Sequence, residues 1–150
     1  MDAVTYPNPE VSGFINNNVI PVRVPHDHQP LSKRFQVKWT PTLVTVDTDG
    51  NEHHRTVGFL PPEELIPSLL LGKAKTAFDL DDFPSAIETL EAILEHHSKS
   101  SSAPESIYLH GVSLYKNTHN PGPLKAAYER LKSRYPESEW TTRAYPYRLL

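Results

Sequence analysis

There is no cysteine among the 150 residues of this sequence. Structural disulfides, thiolate metal sites and cysteine-based redox chemistry by this chain are therefore excluded. A surplus of positive charge is also missing. Fifteen Lys and Arg stand against 18 Asp and Glu, for a formal net charge of −3, so no basic surface points to nucleic acid. No apolar run is long enough to span a membrane and no signal peptide opens the chain, so no membrane partner is expected and a cytoplasmic location is. A Gly-rich phosphate cradle is absent too. Glycine is scarce, at 6 residues, while proline is abundant at 15, which indicates many short elements with rigid joints.

What is present divides into two parts. The first is organised around Phe35–Gly58. Thr42–Val46 is β-branched at almost every position and predicts a strand. Asp49-Gly50 predicts a turn, and Arg55-Thr56-Val57 a returning strand. Pro41 stands just before the first strand, where a missing N–H is tolerated. Upstream, Asn8 is an N-cap with Pro9 at the first helical position, and Glu10–Asn16 carries Val11, Phe14 and Ile15 on one helical face. Val19–Val24 predicts another strand, with Ile20, Val22 and Val24 on one face and Val19, Pro21 and Arg23 on the other. Leu31–Phe35 is one or two helical turns.

At Pro61-Pro62-Glu63-Glu64 the composition turns from β-branched to Leu/Ala-rich. Leu65, Ile66, Leu69, Leu70, Ala74, Ala77 and Phe78 share a helical face, with Pro67 expected in the first turn. Helical spacing recurs over Ser85–His97, Pro104–Asn117 and Leu124–Tyr135, interrupted at Phe83-Pro84, Ser98–Ala103 and Asn120–Pro123. Residues from about 68 to 140 are therefore expected to form four antiparallel helices in two hairpins. The tail holds Trp140, Ala144, Tyr147, Leu149 and Leu150, too apolar a set to hang free.

The Thr-Pro-Thr entry, the strand, the Asp-x-Asp-Gly turn, the second strand and Gly58 together resemble the C-terminal half of the thioredoxin fold. The order of the preceding helix, strand and short helix agrees, and Met1–Val11 resembles the stretch that follows the two cysteines in some thioredoxin-like proteins. The resemblance covers about residues 1–70 and is most specific from Thr40 to Gly58. It implies that Thr40-Pro41 is a cis peptide and that the loop of Trp39, Thr40 and Pro41 receives an extended partner peptide. A plain hairpin with an edge proline gives the same local pattern. The helix pairs resemble tetratricopeptide repeats: Ala86, Leu90 and Ile93 match in the first unit, and Tyr115, Leu124, Tyr128, Leu131 and Pro136 in the next. A generic pair of helical hairpins fits these residues as well.

The expected architecture is thus α/β plus α. An incomplete thioredoxin-like sheet over 1–67 is followed by an all-α, tetratricopeptide-like helical region over 68–150. Measured against that family, the chain lacks the fold's first strand and the two-cysteine motif. That strand would lie between Val19–Val24 and Thr42–Val46, leaving unpaired backbone groups beside Val22, Val44 and Val46. Either these two strands pair directly, or a partner strand is added; a homo-oligomer through the unpaired sheet edge is the expectation.

Two function classes follow. One is a non-catalytic interaction module that binds a protein or peptide partner. The other is a fragment of a thiol–disulfide oxidoreductase whose cysteines are encoded upstream of Met1. Eight histidines invite a metal reading, with His26, His28, His53, His54 and Asp27 as the best candidates. His53 and His54 are adjacent on a strand and are expected to face opposite sides, so no metal or other cofactor is expected. Likewise the Ser98–Ser102 cluster reads as a loop, Glu63 and Glu64 as a helix start, and no catalytic residue is assigned.

Overall fold

Asn8 starts the first helix as its sequence demands. Its side chain accepts from the N–H groups of Glu10 and Val11 at 2.9 and 3.2 Å, and Pro9 occupies the first helical position of α1 (Pro9–Asn18). The computed structural model describes all 150 residues. After α1 come a short α2 (Leu31–Arg34), a hairpin of β1 (Thr42–Val46) and β2 (Glu52–Val57), and then helices only: α3 (Pro62–Asp79), α4 (Phe83–His96), α5 (Ala103–Thr118), α6 (Gly122–Arg134) and α7 (Glu139–Ala144), with a closing 3-10 turn, Tyr145–Leu149.

The hairpin is antiparallel and two-stranded, with Leu43 opposite Thr56 and Thr45 opposite His54. Asp47 builds its turn. One carboxylate oxygen accepts from the N–H groups of Asp49 and Asn51 at 2.9 and 2.8 Å, and Gly50 takes φ 78°. Leu43 reaches the α1–α3 core, and Gly72 of α3 lets the helix close on Thr45: a Cβ at Gly72 would lie 2.4 Å from the Thr45 hydroxyl.

Three buried clusters run along the chain. Val11 of α1 packs with Leu65 and Ile66 at the start of α3. Leu71 and Ala74, further along α3, pack with Leu90 and Ile93 of α4. Leu94, Ile107, Ala127, Tyr128, Leu131 and Ala144 then tie α4 to α5, α6 and α7. Each of α3 to α6 packs against the next through a short connection, so consecutive helices alternate in direction as the interrupted periodicity predicts. The apolar tail is used: Tyr108 packs against Trp140 and stacks on Tyr147 at a 5.9 Å centroid distance. No helix is long and apolar enough to cross a membrane.

Two expectations are corrected. Val19–Val24 forms no strand. From Ile20 to Val24 no backbone N–H or C=O is hydrogen-bonded to another backbone group, and Ile20 and Val22 are 92% and 77% exposed. The segment has strand-like residues but no neighbour, and a strand without a ladder partner is not a strand. Direct pairing with β1 does not occur either, since β1 pairs with β2 alone. Secondly, Pro67 sits in the second turn of α3 rather than the first, where the donor that Glu63 C=O would receive is missing.

Candidate peptide-binding site at the cis-proline loop

Between α2 and β1 the chain passes through Val37–Pro41 in an irregular loop, and two arginines tie the end of α2 before it to the hairpin. Arg55 of β2 donates to Phe35 C=O at 2.6 Å while its guanidinium also grips Glu52 at 2.7 and 2.6 Å. That pairing holds the Glu52 carboxyl below its ordinary value and Arg55 above its own. Arg34 donates to Gly50 C=O at 2.7 Å, tying α2 to the hairpin turn. Gln36 accommodates the reversal after α2 at φ 48°.

At the end of this loop Thr40–Pro41 is cis, as the resemblance implies. Two bonds fix its position. The Thr42 hydroxyl donates to Trp39 C=O at 2.6 Å, and the Gly58 N–H donates to Pro41 C=O at 2.8 Å. Trp39, by contrast, is 69% exposed. Beside it His26, Val37, Lys38, Trp39 and Thr40 line a hollow of about 220 Å³. Val57 and Phe59, on either side of Gly58, are 54% and 56% exposed. Three large apolar side chains thus stand open to solvent around a backbone whose own hydrogen bonds hold it in place, which suits a docking surface for an extended chain.

The sequence singles out Trp39, Thr40 and Pro41, and the structure brings all three to one loop. Val57 and Phe59 are not found from sequence, because alternation on β2 reads equally well as a packed face. Their one signal is that they flank Gly58, the residue that bonds back to Pro41 C=O.

The histidines separate. His26 reaches the hollow beside Trp39, whereas His28 does not line it. His53 and His54 do not face opposite sides. A β-bulge between Thr45 and Val46 leaves His53 outside the regular pairing, and both rings turn to α3. The His54 ring lies 3.4 Å from the Ser68 hydroxyl. His53 is gripped at both nitrogens, Nδ1 by Asp79 at 2.6 Å and Nε2 by Asp47 at 3.0 Å. The Asp79 and Asp47 bonds raise the His53 pKa; Asn51 first and His53 second push the Asp47 carboxyl well below the usual carboxylate range. Burial lowers His54. No group of three or more His, Asp or Glu side chains is placed to hold a metal ion.

A second, wider groove of about 380 Å³ opens where α1, α3 and α4 meet, lined by Glu10, Glu63, His96 and His97 among others. Burial, and then the neighbouring His96, keep His97 below its ordinary value.

Residues 2–73 match the family model of a thioredoxin-like domain. No curated protein and no solved structure matches the chain. The matched span, the two-stranded sheet and the helices around it fit a partial thioredoxin-like fold.

Proposed function

We propose that this chain is a non-catalytic, cytoplasmic protein-interaction module that takes an extended peptide at the loop of Trp39, Thr40 and Pro41. The observation that carries the reading is the exposed Trp39 on a loop anchored by Thr42 and Gly58. A fixed backbone lowers the ordering cost of binding, and an open indole supplies apolar area to bury. The helical part, read as tetratricopeptide-like, serves as the scaffold behind it. Burial of Ala86, Leu90 and Ile93 on one face of α4 supports that reading.

Peptides selected on the protein from a random display library, with counter-selection on Trp39→Ala, provide the test. Truncating an interface tryptophan of this kind costs on the order of 2 kcal/mol or more, roughly a thirtyfold loss of affinity. Selected peptides that bind Trp39→Ala as well as wild type would contradict the proposal. The absence of a thiolate makes a second measurement decisive for the non-catalytic part. Purified protein is expected to leave insulin disulfides intact at the rate of buffer, and turnover that co-purifies with the chain would overturn it.

A second reading is a fragment of a thiol–disulfide oxidoreductase whose cysteines lie upstream of Met1. The exposed apolar side chains of Trp39, Val57 and Phe59 beside Pro41 favour it, since the resemblance sets that proline against a redox pair. An in-frame strand and Trp-Cys-x-x-Cys upstream of the Met1 codon would establish it.

A further inference from the structure

Two parts of the chain lack backbone partners, and each has what the other needs. The first is the outer edge of β1. Gly58 N–H bonds to Pro41 C=O, and Leu43 and Thr45 stand opposite Thr56 and His54, so the alternation of an antiparallel ladder turns the backbone groups of Thr42, Val44 and Val46 away from β2. β1 carries no charge, whereas β2 is guarded by Glu52, Arg55 and the bulge at His53. Unguarded edges are where strands are added.

The second is Val19–Val24. Ile20, Val22 and Val24 alternate along it and are exposed, Ile20 being the most exposed large apolar residue of the chain. Its two edges differ. Pro21 has no N–H, so the edge shared by Val19, Pro21 and Arg23 makes a broken ladder, while Ile20, Val22 and Val24 present a complete one.

We propose that β1 of one molecule receives the Ile20–Val24 segment of a second copy, and that the exchange is reciprocal. A two-fold axis satisfies both gaps with one contact used twice. Ile20, Val22 and Val24 supply the ladder groups, opposite Thr42, Val44 and Val46. The edge left facing solvent then bears Pro21 and Arg23, so the sheet stops at three strands in each half and the assembly closes as a dimer rather than growing. The inference concerns β1's edge and does not rest on peptide binding at Trp39.

Light scattering on the purified chain at micromolar concentration is the test. The expected mass is twice the 17.0 kDa of one chain. Val22→Pro removes the central N–H of the pairing edge and is expected to weaken the dimer by at least about a hundredfold. Arg23→Pro removes an outer-edge N–H and an exposed ion pair to Asp2, leaves the pairing edge whole and should leave the dimer standing. Circular dichroism checks that both variants keep their helices, as they should, since residue 22 makes no backbone bond in the single chain. Hydrogen exchange should show the Val22 and Val44 amides protected in wild type and released together in Val22→Pro. A monomer at micromolar concentration, a dimer indifferent to Val22→Pro, or equal loss with Arg23→Pro would each overturn the proposal.

Discussion

His53 shows how much one side chain can join. It sits in the bulge of the hairpin and holds Asp47, which builds the hairpin turn, and Asp79, the last residue of α3. With both ring nitrogens facing carboxylates, the doubly protonated ring is the favoured form, and its pKa lies above the ordinary 6.5. The stabilisation is therefore complete below about pH 6.5 and is lost as pH rises through the raised value. Asp47 acts at the other end. Its contribution is present above its ordinary value and is lost only as pH falls through the depressed one. His54 and His97, lowered by burial, favour the neutral ring and weaken the fold in acid, so wild type must be compared with a variant rather than read alone. The expected outcome is a melting temperature that falls from pH 6.5 upward in wild type, with the fall smaller and complete at a lower pH in Asp79→Asn and absent in His53→Gln. Superimposable profiles for wild type and His53→Gln would contradict the clamp. Adjacent histidines on a strand predict opposite faces; the bulge that turns both toward α3 leaves no mark in the residue types.

Among the elements, helices were the most legible. Apolar spacing, Asn8 as a cap and prolines at first turns place α1 and α3 to α6 within a few residues of their ends, whereas α7, capped by Ser138, was legible only as an apolar tail. β1 and β2 were legible because their β-branched run is bracketed by Pro41, Gly50 and Gly58. Val19–Val24 was misread for a physical reason: local preference selects extended backbone, but only a neighbour makes a strand, and no residue in the segment reports whether one is there. Close packing is equally silent in sequence, and the glycines separate the cases. Gly13 in α1 has open space where a Cβ would stand, so Gly13→Ala is expected to stabilise by about 0.5–1 kcal/mol through helix propensity. At Gly72 the same change drives a Cβ into Thr45, and a net loss of about 1–2 kcal/mol is expected, overpacking exceeding the propensity gain. Denaturant midpoints for the two variants should move in opposite directions; movement the same way would contradict the packing of α3 on β1.

For the whole molecule, α3 is the common spine. Leu65 and Ile66 belong to the core with α1, Leu71 and Ala74 to the core with α4, and Leu70 touches both. The composition change near Pro61 marks where the β-branched part gives way to helices, yet one continuous helix carries both cores. The candidate site was legible as Trp39, Thr40 and Pro41 because the motif is local. Its surroundings, Val57, Phe59 and the Arg55 brace, come from a strand whose register sequence does not state. The central claim is that this loop, and not the helical region, is the surface that meets a partner. Amide chemical shifts recorded while a selected peptide is titrated into the isotopically labelled protein test it most directly. The account predicts perturbations centred on residues 37–42 and 57–59, with α4 to α6 unmoved; shifts centred on α4 to α6, with the loop silent, would contradict it.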